Sequence, residues 1–434
     1  MNFPGKKVTV LGLGVSGLQS AVFLKQHGYE VWVSDGGDSG AVKQRLSDLA
    51  DFGITGEAGG HNLSRILDSD WVLISPGIPP ASKIHQTIRK AGLPVFSEIE
   101  VASRFCPTGR VIAVTGTCGK TTVTTLIQRL IETSGKRAVS CGNIGNPWIG
   151  EIEGLCKDDF VVLEISSFQL EHCIHFRPWI GVLLNISANH EDWHEDEQAY
   201  VRAKLRIFQS QTERDTAIFR LQDRDRYFPE MTFRAQTRAI GQNAAMNPNE
   251  EVLRAVAVIV GIDGQVVDRV LTVFEGIEHR LEVFLQAGGV SYVNDSKSTT
   301  PSSLAWALDK YPDRKVILIA GGHPKSTDFG GLRGLVARKV KLAVLIGEAR
   351  ALLREAWQGA VPFFETDQFE EAVQKASAGA REGDVVLLSP ACASFDMFKN
   401  YEERGRLFKA IVSRITGSSG APCKRDAGSG ILHV

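Results

Sequence analysis

The 434-residue sequence predicts an α/β protein of three domains, each built around a parallel sheet with helices on its faces. Three observations predict it. Short β-branched strands alternate with helical segments, two of those strands run directly into glycine loops that open helices, and the alternation pauses near Pro94–Ser97 and again around Ile277–Glu278. A chain of this length holds roughly two to four domains.

In the first block, residues 1–97, a strand over Lys7–Leu11 leads through the loop Gly12–Gly17 into a helix across Leu18–His27. Further strands at Glu30–Ser34, ending at Asp35, and at Trp71–Ser75, ending in Ser75-Pro76-Gly77, give a Rossmann-like sheet. The second block, 98–276, begins with a helix over Glu98–Phe105 and then the strand of a phosphate-binding loop. Its runs Phe160–Ile165 and Ile180–Ile186 are nearly continuous in apolar residues, as parallel strands buried on both faces require. The stretch Gln236–Glu250, rich in Gln, Asn and Ala, carries no clear period, and periodicity returns in a helix over Glu251–Val260. The third block, 277–416, sets strands at Val290–Asn294, Lys315–Ala320, Leu342–Ile346 and Val385–Ser389 between helices, again Rossmann-like. Residues 417–434, with GSSGAPCKRDAGSG, read as a flexible tail.

Composition narrows the function classes. Forty-nine Lys and Arg against 50 Asp and Glu give no electrostatic case for nucleic acid or an anionic membrane. Seven cysteines without CxxC spacing point to reduced thiols in a cytoplasmic protein. No signal peptide is expected at the N-terminus, and no apolar run approaches the ~20 residues that span a bilayer.

The most informative stretch is Val111–Thr122, VIAVTGTCGKTT. A buried-type strand enters a loop of Gly116, Thr117, Cys118 and Gly119, and Lys120, Thr121 and Thr122 open a helix. Backbone N–H groups of such a loop, with a helix N-terminus behind them, cradle phosphate oxygens. Lys120 neutralises β- and γ-phosphates, and the Thr121 hydroxyl is placed to ligate Mg²⁺, so the loop reads as an ATP site of P-loop ATPase type. Its first glycine falls late, giving G-T-x-G-K-T in place of the longer pattern. The earlier loop, Gly12-Leu13-Gly14-Val15-Ser16-Gly17 with Asp35 closing the next strand, asks for a pyrophosphate on a helix N-terminus and a ribose hydroxyl on the acid; NAD and a UDP-sugar satisfy it equally. Glu164 ends a strand where open α/β sheets bind ligands and suits Mg²⁺. His190, in Asn189-His190-Glu191-Asp192, is a candidate second metal ligand, and His194 reads as solvent-facing.

This P-loop strand, the strand-end Glu164 followed by Ser166-Ser167-Phe168-Gln169, and the strand-end His190 together resemble the Mur ligase family. Gly142-Asn143-Ile144-Gly145, Tyr200–Arg206, His279–Glu282, Asn294–Thr299, Gly321–Lys325 and Leu388–Gly405 (LSPACASFDMFKNYEERG) extend the resemblance to about residue 416. Asp-Ser-Lys-x-Thr and Ser-Pro-Ala-Cys-Ala-Ser look like the member that adds D-glutamate to UDP-N-acetylmuramoyl-L-alanine. The resemblance implies an acyl phosphate formed with ATP and Mg²⁺, and a monomer acting on small molecules. It implies Lys120, Glu164, His190 and Lys204 as catalytic residues. Thr121, Glu164, His190 and a CO₂-carbamylated Lys204 would serve the metals. Taken from the residues alone, Lys204 is one of several basic side chains on a charged helix face. The resemblance further implies Val15, Ser16, Asp35, Ser75, Gly77, Asn143, Ser166 and Gln169 for the UDP-muramoyl substrate. Lys297, Thr299, Lys325, Ser394 and Tyr401 would take D-glutamate, and Asn249 and Arg280 would join the P-loop residues at ATP.

Departures from the family pattern are Cys118 and Asn189, where Asn and Asp are usual, together with Thr300, His323 and Tyr401. The segment Phe219–Asp223 lacks the expected Asn-x-Asp-Asp run. Sister ligases for L-alanine or a diamino acid, a nicotinamide oxidoreductase and a non-catalytic nucleotide-binding protein stay open as alternatives at this point; the first block, with its GxGxxG and Ser75-Pro76-Gly77, argues against a folylpolyglutamate synthase.

Overall fold

The near-continuous apolar runs become the buried strands of three sheets. The computed structural model describes residues 3–187, 193–194, 196–242, 246–274, 276–324 and 328–417. The chain separates into two compact units, Met1–Phe274 and Glu275–Val434, and the first contains two of the sheets.

In the first sheet, β1 (Lys7–Leu11), β2 (Glu30–Asp35), β3 (Thr55–Ala58), β4 (Trp71–Ile74) and β5 (Val95–Phe96) lie in the order β3-β2-β1-β4-β5, all parallel. β1 has its successors on opposite sides, so a crevice forms at its carboxyl end, between the loop after β1 and the loop after β4. The helix after β1 begins at Val15 and runs to Gln26, three residues before the expected start. The glycine loop is tighter than the sequence pattern suggests.

The second sheet contains β6 (Val111–Thr115), β7 (Ala138–Gly142), β8 (Phe160–Glu164), β9 (Ile180–Leu183), β10 (Thr216–Arg220) and β11 (Gln236–Ile240), in the order β11-β10-β9-β6-β8-β7, again all parallel. Here β6 holds the switch position, with β8 on one side and β9 on the other. β9 ends at Leu183, short of the expected Ile186, because the chain from Leu184 onward turns to bind the loop after β6. The unreadable stretch contains β11, an edge strand exposed along its length except at Ile240. The helix expected from Glu251 starts at Pro248, where the Asn247 side chain accepts the N–H of Asn249.

The helix Glu98–Phe105 joins the two sheets and matches its expected span. Ser97 caps it by accepting the Glu100 N–H, and acidic Glu98 and Glu100 occupy the first turn. Glu100 is fully buried. Its Oε2 accepts the N–H groups of Ile174, His175 and Phe176 at 2.9–3.0 Å, and its Oε1 accepts from Arg104 at 2.8 Å, so the charge is matched on every side.

In the second unit, β12 (Glu282–Ala287), β13 (Val290–Asn294), β14 (Val316–Gly321), β15 (Val340–Ile346), β16 (Phe363–Glu365) and β17 (Val385–Leu388) take the order β12-β13-β17-β14-β15-β16. Only β12 with β13 is antiparallel among these pairs. The carboxyl ends of β13, β17 and β14 are therefore adjacent. No helix among the described residues is long and apolar enough to cross a membrane.

Candidate active site

The loop after β6 is fixed from both neighbouring strands. Gly119 takes a left-handed backbone (φ +83°) as the N-cap of the helix Lys120–Thr133, a conformation that favours glycine. From the β9 side, Asn185 Oδ1 accepts the N–H of Thr117 at 3.1 Å and of Cys118 at 2.9 Å, and Asn185 Nδ2 donates to the Cys118 carbonyl at 3.0 Å. These three bonds go to backbone groups, so the loop is held without use of the Cys118 side chain. Thr117 Oγ1 shares a 3.0 Å hydrogen bond with the Tyr200 hydroxyl. Lys120 Nζ donates to the carbonyls of Gly116 and Thr117 at 3.0 and 3.2 Å, which holds the ammonium at the loop mouth. Asn249 lies beside the same loop, with Oδ1 3.7 Å from where a Cβ on Gly119 would stand.

From the β8 side, Glu164 pairs in register with Val114 of β6. Its Oε1 accepts from Asn143 Nδ2 at 2.8 Å, while its Oε2 is buried without a hydrogen-bond partner among the described residues. Gly142 allows this approach: a Cβ there would stand 2.5 Å from the Glu164 carbonyl oxygen. Ser166 and Gln169 close a reciprocal capping box on the short helix that follows, so both are held near Glu164. Thr121 is 1% exposed in the first turn behind the loop.

Lys204 lies on the helix Glu197–Gln209 and is 1% exposed, with Nζ donating to the Gly116 carbonyl at 2.8 Å. The expectation of a charged helix face is wrong for this residue. Tyr200, Lys204, Ile207 and Phe208 form the buried face, and the neighbouring arginines point elsewhere. Burial, and then the Lys120 charge, holds its ammonium well below the usual lysine range, against a smaller opposite pull from Cys118. His194 is corrected likewise: it is 5% exposed, and its Nε2 meets Ser167 Oγ at 3.0 Å.

At the first sheet, Gly12 is left-handed (φ +90°), and a Cβ on Gly17 would stand 1.9 Å from the Gly12 carbonyl oxygen. Asp35 Oδ2 accepts the Leu13 N–H at 2.5 Å and Oδ1 accepts from Gly37 at 2.7 Å, tying the acid to the loop. Ser75 packs against Gly12 from β4, and Val15 and Ser16 open the helix. Val15 is 53% exposed. Gly77 follows in the same β4 loop.

The second unit gathers its own candidates. Lys297 Nζ stands 5.4 Å from the Tyr401 ring. Thr299 follows Ser298, whose carbonyl accepts the Ala391 N–H at 2.9 Å, and Ser394 is buried in the loop after β17. Arg404, fully buried, ties these loops together: Nε donates to Ser296 Oγ, and the terminal nitrogens donate to the carbonyls of Ser296, Cys392 and Ala393. Arg280 belongs to this unit and lies near Asp295, whose carboxyl burial pushes up to about 6. Thr300 caps the helix Pro301–Leu308, and His323 pairs in a bridge with Ala393.

Comparison with known proteins bears on this arrangement. Residues 6–97 match the MurD-like N-terminal domain of Mur ligases, 114–286 the Mur ligase middle domain, and 279–392 the Mur ligase glutamate ligase domain. The chain is 38% identical to the UDP-N-acetylmuramoylalanine--D-glutamate ligase of Acidobacterium capsulatum, over 96% of this chain and 98% of that protein. The chain belongs to the Mur ligase family. It is also 38% identical to the same-named ligase of Koribacter versatilis, over 96% and 99% of the two chains. The MurF ligase of Thermotoga maritima, solved in complex with ADP, shares the fold with a TM-score of 0.57 at 15% identity, over 81% of this chain and 92% of that one.

Against the Mur ligase pattern, the structure brings together Gly116–Thr122, Asn143, Glu164, Ser166, Gln169, Lys204 and Asn249 in the first unit, and Lys297, Thr299, Ser394 and Tyr401 in the second. His190, Asn189, Asp192 and Lys325 lie outside the described residues. Sequence reasoning missed Asn185, Tyr200 and Arg404 as organisers. Asn185 had one available signal, as the first polar residue after the apolar run of β9 beside the P-loop strand.

Proposed function

We propose that this chain is an ADP-forming amide ligase that joins D-glutamate to UDP-N-acetylmuramoyl-L-alanine in cytoplasmic peptidoglycan precursor synthesis. Residues 1–97 would take the UDP-sugar, 98–276 ATP and 277–416 the amino acid. The observation that supports the reading best is a buried Glu164 Oε2, without a partner among the described residues, and a fully buried Lys204 on opposite sides of one P-loop. An ATPase loop alone accounts for a strand-end acid at Mg²⁺ but not for a fully buried lysine on its other side. The names of the relatives support D-glutamate as the amino acid, and the ADP in the MurF complex supports ATP.

The donor set fits Mg²⁺: a carboxylate oxygen lacking a partner and a threonine hydroxyl are hard oxygen ligands. Glu164 and Thr121 would hold the ion, with His190 and carbamylated Lys204 serving a second. Bound there, Mg²⁺ supplies charge neutralisation at the transferring phosphoryl group.

The chain's own groups do the rest. Loop N–H groups and Lys120 hold the β- and γ-phosphates while the muramoyl-alanine carboxylate attacks the γ-phosphorus and ADP leaves. The D-glutamate amine then attacks the acyl carbon, loses its proton, and phosphate departs as the amide forms. Lys297, Thr299, Ser394 and Tyr401 offer one cation, hydroxyls and a ring to orient the dicarboxylate amino acid. Burial favours the neutral amine of Lys204, the form whose lone pair adds to CO₂, releasing one proton and leaving a carbamate anion.

Phosphate release in the presence of ATP, Mg²⁺ and UDP-N-acetylmuramoyl-L-alanine tests the reading. D-glutamate is expected to support turnover where L-glutamate, L-alanine and L-lysine do not; equal rates across the panel would overturn it.

A further inference from the structure

Behind the Lys204 helix, a cavity of about 540 Å³ opens between that helix and the helix Lys83–Lys90 of the first sheet. Arg202 and Arg206 line it, two residues on either side of Lys204. At about 100° per residue they fall about 160° around the helix from it. The cavity and the P-loop therefore occupy opposite faces of one helix. None of the described residues assigned above to ATP, metal, UDP-sugar or amino acid lines the cavity.

The charge of this cavity is unbalanced. Arg89 reaches it from the helix Lys83–Lys90, so among the described residues three guanidinium groups face a single carboxylate, Glu171. Arg206 is 3.9 Å from Glu171, at the outer limit of an ion pair. Among the described residues, Arg89 and Arg202 are in no ion pair. A second observation registers the same positive field. His85 and His172 meet Nε2 to Nε2 at 3.2 Å beside the cavity. Burial is the first cause that lowers both rings. Arg89 adds to it at His85, and His85 and Arg206 add to it at His172, which is pushed down to about 3. The pair stays neutral and contributes no compensating charge.

We propose that this cavity binds a phosphate dianion, carried on a small metabolite as a monoester, between Arg89, Arg202 and Arg206. Guanidinium groups bond phosphate oxygens in pairs through a planar fork, and three of them match the three peripheral oxygens of a monoester. The cavity lies within the usual range for small-molecule sites and leaves room for a sugar-sized body beyond the phosphate. Such an occupant bridges the first sheet's helix to the helix that carries Lys204.

The test is calorimetric titration of ribose 5-phosphate into the full chain presaturated with ADP and UDP-N-acetylmuramoyl-L-alanine, which fill the P-loop and the first-sheet loop. Saturable binding is expected at about 1 mM or tighter, with ribose silent. Arg89→Gln and Arg202→Gln are each expected to weaken it about tenfold, and the double variant to abolish it. Both side chains are exposed, so the fold survives their replacement; unchanged thermal unfolding checks this. Equal affinity for inorganic phosphate would identify the free anion as the occupant, and tighter ribose 5-phosphate the monoester. Absence of binding by both, undiminished binding in the double variant, or equal binding of glutarate would overturn the proposal.

Discussion

Lys204 Nζ donates a 2.8 Å hydrogen bond to the carbonyl oxygen of Gly116, so the buried lysine and the first glycine of the P-loop are held as one unit. No carboxylate pairs with Lys204 among the described residues, and burial together with Lys120 depresses its ammonium form. That shift favours the amine form, which is the nucleophile the proposed carbamylation needs, and a carbamate there would reverse the local charge. Turnover is therefore expected to fall in CO₂-depleted buffer and to return with bicarbonate. Lys204→Ala is expected to lose about 100-fold in activity, with part restored by acetate filling the vacated anionic position. Full activity of Lys204→Ala in plain buffer would rule out the role.

Asn143 bonds Glu164 Oε1 at 2.8 Å, and Oε2 has no hydrogen-bond partner among the described residues, which leaves it for the Mg²⁺ proposed above. Asn143→Ala is expected to raise the Mg²⁺ concentration needed for half-maximal ADP formation by about 10- to 100-fold. A Mg²⁺ titration measures this directly, and an unchanged midpoint would show that Asn143 does not position the carboxylate.

The sequence made the phosphate loop and the sheet pattern visible because apolar runs, glycines and caps act locally. The helix expected over Glu98–Phe105 has that span, and the structure shows Ser97 capping it locally. The strand β11 stayed hidden because an exposed edge carries no apolar alternation. Lys204 was misread from its residues because Arg202 and Arg206 flank it in sequence while the helix turns them to another face. The Asn185 clamp spans 67 residues of sequence, and the Arg404 hub joins loops 12 and 108 residues away, links that no local pattern reports.

Arg404 illustrates the energetic weight of such a hub. It is a buried cation whose partners are the Ser296 hydroxyl and three loop carbonyls, and burial lowers it only to about 10, so it stays charged near neutral pH. Arg404→Leu removes the guanidinium donors from the Ser296 and Cys392 carbonyls, while the Ala393 carbonyl keeps the His323 N–H, and it is expected to cost roughly 2–4 kcal/mol in urea unfolding. Arg404→Lys keeps the charge but not the fork. It is expected to raise KM for D-glutamate while KM for ATP holds, because the loops bearing Lys297 and Ser394 lose their shared anchor. Parallel changes in both constants would make Arg404 a general stabiliser only.

Glu98 gives the fold a pH dependence of defined sign. It is 2% exposed, Oε1 accepts the Ile149 N–H at 2.6 Å, and Oε2 is buried without a partner among the described residues. Burial raises its carboxyl from 4.5 to about 7, against smaller opposing pulls from the Ile149 and Trp148 N–H groups. The folded state thus binds a proton that the unfolded chain releases. Its stabilising effect is complete below pH 4.5 and is lost as pH rises through 7. At roughly 1.4 kcal/mol per unit, the loss reaches about 3 kcal/mol. Glu98→Gln keeps the acceptor for Ile149 and removes the ionisation. Urea unfolding at pH 5.5 and 8.5 is expected to show wild-type stability falling across that interval and the variant holding level; parallel profiles would show that Glu98 does not titrate in the folded protein.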